Sequence, residues 1–334
     1  MIMRKTLVLI LILLSSTSFY SQNQALIDSL KNELKQEDLG DSLRIVILTK
    51  LHEKLMFSHP EEAKQYALQE IEIYETSGLE MGYGLGNLHL GDYYFNRSMN
   101  DSALYHYERA QENFIKNDFS RGLVFVSYTI GEIYKSRGQY EKALNIFKAS
   151  IAEIERNISD EPVKSQFLAS SYLSIGSCYL EKGDFNIALR ESLKALTIYE
   201  RIEDEVRKAD ALKQVGDIES LLKHFESSLE YYTQAEQIYE KYNDNIYKVS
   251  ATNAIGDVYK EMGDLENARQ KQQEAIALSR KFSVRATLAK ALNDLGLILI
   301  AQGEFLEARN VLLESKDISV AEKLELRTDR KSVV

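Results

Sequence analysis

Three features of this chain have residue types that could do chemistry: a glycine-rich stretch, five histidines and one cysteine. The stretch GYGLG (82–86) invites comparison with phosphate-cradling loops. Such a loop needs a strand before it and either a G-x-G-x-x-G spacing or a following lysine. Here a helical pattern precedes and the spacing differs, so nucleotide binding is not expected. His52, His59, His89, His106 and His224 show neither metal-ligand nor triad spacing and read as surface or packing residues. Cys178 lies mid-helix and reads as a small core residue rather than a reactive thiol. Acidic side chains are plentiful but sit on solvated helix faces. No catalytic constellation, metal site or cofactor site emerges, and the chain is not expected to be an enzyme.

The elements that would have to position any site are helices. The chain has 334 residues, 44% of them hydrophobic, with only two prolines, sixteen glycines and no tryptophan. That composition favours helix over a turn-rich β architecture. The net charge of −10 opposes attraction to phosphate backbones, so nucleic acid is not an expected partner. At the start, Arg4 and Lys5 precede an apolar run from Leu7 to Leu14 and a polar exit from Ser15 to Gln22. Residues 1–22 therefore read as a secretory signal peptide, with too few apolar residues to span a bilayer. An uncleaved anchor is the lesser alternative. With a single cysteine, no internal disulfide is expected.

Self-similarity carries most of the information. A glycine recurs at Gly91, Gly131, Gly176, Gly216, Gly256 and Gly296, forty residues apart except for one spacing of forty-five. Twelve positions later stands a small residue: Ala103, Ala143, Ala188, Ser228, Ala268 or Ala308. Seven further on comes Ala110, Ser150, Ala195, Ala235, Ala275 or Ser315. Turn glycines follow at Gly138, Gly183, Gly263 and Gly303, with Lys223 as the exception. This reads as two amphipathic helices per unit, joined by a tight turn. A mid-helix glycine costs about 1 kcal/mol relative to alanine. Close backbone approach between the glycine and the small residue of the partner helix is the expected reason for keeping it.

By these residues the chain resembles the tetratricopeptide repeat family in its long, forty-residue form, strongly over 84–323. The resemblance implies an all-α, right-handed solenoid of stacked helix-turn-helix repeats. The expected organisation is a capping helix and divergent first repeat over 23–83, then six repeats over 84–323. The first repeat keeps the phase at Ala63, has Leu51 in place of glycine, and suggests a capping box from Ser58 to Glu61 around Pro60. Five extra residues within 153–166 read as a longer connecting loop, where a domain break is one alternative.

The resemblance also implies a concave groove, lined by first helices, that grips a protein or extended peptide. Candidate groove residues follow each repeat glycine (Asp92, Glu132, Asp217, Asp257) or precede it by three (Tyr128, Lys213, Asn253, Asn293). The acidic stripe suggests a mildly basic or neutral peptide, and the asparagines suggest an amide ladder for peptide main chain. Past Gly296 the phase calls for another repeat, so 324–328 read as its lead-in. Residues 329–334 match the translation of a sequencing-library adapter, GAT CGG AAG AGC GTC GTG, implying a longer natural chain.

The export signal resembles those of Bacteroidetes-type bacteria, which puts the mature chain in the periplasm. Exported arrays of this kind suggest the sensing part of a signal-transduction protein, joined to the membrane through a segment further on. The alternatives are a free periplasmic scaffold for envelope assembly and a cytoplasmic peptide-responsive regulator.

Overall fold

The computed structural model describes residues 24–332, with side chains to residue 321. The expected signal peptide lies outside the described residues, as do the side chains of the expected adapter-derived segment. A first helix, α1, covers 24–34. Fourteen more follow: α2 Asp41–Leu55, α3 Pro60–Ser77, α4 Glu80–Phe95, α5 Asn100–Lys116, α6 Ser120–Ser136, α7 Tyr140–Asn157, α8 Glu161–Glu181, α9 Phe185–Arg201, α10 Glu205–Leu221, α11 Phe225–Lys241, α12 Asn245–Glu261, α13 Leu265–Phe282, α14 Arg285–Gln302 and α15 Phe305–Ser332. No strand occurs among the described residues, and none of these helices is long and apolar enough to cross a membrane. The chain divides into two compact units, one ending at Ile158 and the other beginning at Ser159.

In each unit, helices adjacent in sequence pack against each other, which makes an all-α solenoid-type stack of helix pairs. In the second unit α8, α10, α12 and α14 also touch their counterparts in neighbouring pairs, and no second helix packs comparably on another. The first helices therefore lie on the inner side of the bend. In the first unit α2 packs on α4 in the same way.

The turns are regular where the sequence is not. Gly138, Gly183, Gly263 and Gly303 adopt φ between 71° and 82°, as the turn requires. At the departing position Lys223 adopts φ 63°, and Ser98 φ 58°, so both turns keep the left-handed geometry without glycine. The extra residues near 153–166 do not lengthen a loop. Residues 158–160 alone separate α7 from α8, and the insertion becomes an added turn of α8, opened by Pro162 in its first turn, where the missing N–H costs nothing. Nor does a capping box form at 58–61. His59 is the N-cap and Pro60 begins the helix, leaving Ser58 one residue too early, while Glu61 turns outward to Arg97 and Tyr93.

Candidate functional site

Five of the six repeat glycines face a large side chain, and Gly176 faces Ser192. A Cβ on Gly131 would lie 2.5 Å from the Phe147 ring, and one on Gly216 would lie 2.8 Å from the Tyr232 ring. Gly91 meets Tyr107, Gly176 meets Ser192, Gly256 meets Gln272 and Gly296 meets Leu312. The nearest partner always stands sixteen positions on, on the second helix, although at Gly176 the Gln214 amide of α10 at 2.8 Å and the Ala188 carbonyl at 3.2 Å close in as well. The expected pairing with the small residue twelve positions on is secondary, seen where Ser228 Oγ donates to the Gly216 carbonyl at 2.8 Å. Backbone-on-backbone approach does occur in GYGLG. Cβ atoms on Gly82 and Gly86 would strike the carbonyls of Glu70 and Ala67, so these glycines seat α4 directly on α3.

The same register holds the acidic residues of the inner face. Asp92 accepts from Tyr107 Oη at 2.7 Å, Asp217 from Tyr232 Oη at 2.7 Å and Asp257 from Gln272 Nε2 at 3.3 Å. Phe147 and Leu312 have no donor and the Ser192 hydroxyl donates to the Ala188 carbonyl instead, and there the residue after the glycine is Glu132, Leu297 or Ser177. Aspartate thus appears where a donor waits for it.

Lysines neutralise most of the stripe. Asp217 pairs with Lys213 at 2.9 Å, and Glu132 with Lys135 at 2.7 Å. Asp257 pairs with Lys260 at 3.1 Å and, from the next first helix, with Lys290 at 2.8 Å. Lys260 also reaches Asp294 at 3.2 Å. Burial, then the neighbouring Asp257, holds the Asp294 carboxyl above its ordinary range. Asp92 has no lysine: burial pushes it up to about 6, against the opposing pull of Tyr107 and His89.

The remaining candidates differ in accessibility. Asn253 is buried, its amide donating to Gln272 Oε1 at 2.6 Å and approaching Asp294 at 3.5 Å. Asn293 is exposed, because no first helix follows α14 among the described residues. Tyr128 is half-buried, its ring centroid 5.8 Å from that of Phe147. In the second unit the structure gathers Lys213, Asp217 and Tyr232, and separately Asn253, Asp257 and Gln272 with Lys260, Lys290 and Asp294. Asp92, Tyr128 and Glu132 belong to the first unit.

Sequence reasoning missed a second cluster there. His89 Nδ1 lies 2.6 Å from Glu70 Oε2, Thr49 Oγ1 donates to Glu70 Oε1 at 2.7 Å, and the His52 ring stacks on His89 at 4.3 Å. Glu70, His52 and His89 are all buried. Burial works against charge on His89, yet Glu70 beside it, with Asp92 and Glu53 further off, carries the imidazole above its ordinary range. His52 is pushed down to about 4 by burial and by its positive neighbour. A signal was present: Glu70 occupies the position filled by alanine or serine in the other six repeats. The carboxylate stands between hydroxyl and imidazole, so the ring cannot take the Thr49 proton as a nucleophile-activating base would. Among the described residues no three His, Cys, Asp or Glu side chains converge to hold a metal.

A sequence profile described as Tetratricopeptide repeat matches residues 167–241 and 247–319, and another of the same description matches 129–160, together more than half of the chain. The fold is similar to the apo form of the quorum sensor NprR from B. thuringiensis, with TM-score 0.70 and 17% identity over 91% of this chain and 84% of that one. It is also similar to the apo form of RapI, with TM-score 0.66 and 15% identity over 84% and 98% of the two chains. A Rap protein complexed with Competence and Sporulation Factor aligns with TM-score 0.53 and 16% identity over 92% and 94%. At these identities the likeness is one of fold. No curated protein matches the chain by sequence.

Proposed function

Because the chain belongs to the tetratricopeptide repeat family, we propose that it is a non-catalytic binding module holding an extended peptide, or an extended segment of a partner protein, against its first helices. The observation that carries this reading is the inner face of α10, α12 and α14. Its acids and lysines are already paired there, by Lys213 with Asp217 and by Lys260 and Lys290 with Asp257. A surface so compensated favours an uncharged main chain over a strongly basic ligand. The fold it shares with a quorum sensor and with a Rap protein complexed with a factor supports the same reading.

We further read the array as the long, forty-residue form of the family, and as the extracytoplasmic sensing part of a longer signalling protein. A free periplasmic scaffold for envelope proteins is the second reading, favoured if no apolar segment of about twenty residues follows in the gene. Export is tested by fractionating cells that express the chain with and without residues 1–22.

The binding role is tested by selecting peptides from a displayed random nonapeptide library on the full chain, then mapping hydrogen exchange with each selected peptide bound. Protection is expected on first helices such as α10, α12 and α14. Protection confined to the second helices α9, α11 and α13 would overturn the reading.

A further inference from the structure

The inner face of the first unit is unlike that of the second. A cleft of about 630 Å³ opens between α2, the start of α4 and the residue before α6. Its walls are Ile45, Val46, Leu79, Met81, Leu85 and Phe119. Val46 and Met81 are exposed at 45% and 39%, so apolar surface is left uncovered here by the described residues. Lys50 and Glu53 stand at the cleft, one turn apart on α2. Neither makes an ion pair or hydrogen bond with another described residue, whereas Lys213, Lys260 and Lys290 on the second unit's inner face all have carboxylate partners.

The cleft also has a built floor. Thr49 lines it, and its hydroxyl is held by Glu70, which is held in turn by His89. Packing does not require a carboxylate at this position. Ala110, Ser150, Ala195, Ala235, Ala275 and Ser315 fill the equivalent place in the six other repeats and are equally buried. A buried ion pair seldom adds stability over an apolar replacement. The first repeat keeps one where it fixes a residue of the cleft.

We propose that this cleft is the anchoring pocket for a large apolar side chain of a bound peptide. The peptide's main chain crosses α2, taking a hydrogen bond from the Lys50 ammonium to a carbonyl and giving one from an N–H to the Glu53 carboxylate. The two charges, opposite in sign and on one face of a helix, match the two polar groups of an uncharged peptide unit. The volume lies in the range of pockets that enclose a small ligand and so admits an aromatic or leucine side chain with part of its neighbour. Thr49, positioned by Glu70 and His89, sets the depth. This inference rests on the peptide-binding reading above and assigns it a specificity pocket.

The absence of tryptophan from the chain makes the test direct, because a tryptophan-bearing peptide is then the only indole emitter. The probes are the nonapeptides selected from the library, each resynthesised with tryptophan at its largest apolar position. They are titrated into the full chain and into a Val46→Asp/Met81→Asp variant, whose exposed positions leave the buried core untouched. The expected result is tryptophan emission shifted to the blue on binding and affinity at least tenfold weaker in the variant. Glu70→Ala/His89→Leu, which removes both partners of the buried pair together, is expected to retain the thermal stability of the parent within a few degrees while weakening the peptides several-fold. Unchanged affinity in the Val46→Asp/Met81→Asp variant would overturn the pocket and leave the peptide-binding reading standing. Selected peptides without enrichment in large apolar residues would also overturn it, as would an apolar dye that occupies the cleft without competing with any selected peptide.

Discussion

Tyr232 Oη donates to Asp217 Oδ1 at 2.7 Å across fifteen residues, and Tyr107 makes the same bond to Asp92 across the same interval. Each bond ties a second helix to its own first helix, beside the glycine that admits the tyrosine ring. Removing the hydroxyl while keeping the ring isolates the bond. Tyr232→Phe should cost about 1.5–3 kcal/mol, as expected for a hydrogen bond to a charged group. Urea unfolding of Tyr232→Phe, Asp217→Asn and the double variant should show a coupling of similar size; additive effects would place the stabilisation elsewhere.

Gly131 has no space for a methyl group, since a Cβ there would lie 2.5 Å from Phe147. Gly131→Ala should lose about 1–3 kcal/mol by overpacking. Trimming the obstacle in the double variant Gly131→Ala/Phe147→Leu should recover part of that loss. Thermal unfolding decides it: a double variant less stable than both single variants would mean the ring is not what excludes the methyl group.

Lys223 carries a φ of 63° where four other repeats place glycine. A side chain in that region costs about 1 kcal/mol. Lys223→Gly should therefore raise stability by up to that amount, and Lys223→Ala should leave it nearly unchanged. If the alanine variant is stabilised as much as the glycine variant, the lysine charge rather than the backbone is responsible.

Asp92 gives a dependence on acidity. Its folded pKa of about 6 lies above its ordinary value of 3.8, so the native state holds the proton more tightly than the unfolded chain does. The ionised, buried carboxyl is a burden above pH 6 that is relieved as the pH falls toward 4. Asp92→Asn should accordingly be the more stable protein at pH 7.5, with its advantage shrinking by up to about 3 kcal/mol by pH 4. His52, pushed down to about 4, acts oppositely in both proteins: its contribution is lost as the pH falls below 6.5. Urea midpoints for the pair across that range carry the test, and a constant difference would refute it.

The repeat frame was legible because glycine spacing reports helix pairs directly, and even the anomalous turn at Lys223 followed the phase. The partner of each glycine was less legible. Alanine and serine at twelve and nineteen positions on attract notice by being uniform, whereas Tyr107, Phe147, Ser192, Tyr232, Gln272 and Leu312 vary too much to look like one position. Their unity lies in the space they share. Charge compensation was hidden for a related reason, since Lys290 reaches Asp257 from the neighbouring repeat. Asn253 and Asn293 occupy equivalent positions, yet one is buried and the other exposed, because only α12 has a first helix on each side. Glu70 and His89 lie nineteen residues apart, a distance that means nothing until α3 and α4 are stacked.

The left-handed residues that close the second helices have a further consequence. Glu203 and Asn243 share this conformation, and each is followed by an aspartate, Asp204 or Asp244, that caps the next helix by accepting from the main-chain N–H three residues on. A cut after each would join like to like, leaving a chain one pair shorter with every cap intact. The Tyr239–Asp210 bond lies wholly inside the pair so removed, whereas the bonds of Gln214 to Ser192, Thr252 to Glu236 and Lys290 to Asp257 depend on which pair comes next. The helical frame is thus divided into interchangeable lengths, while the side-chain bonds between neighbouring pairs fix the order in which those lengths stand.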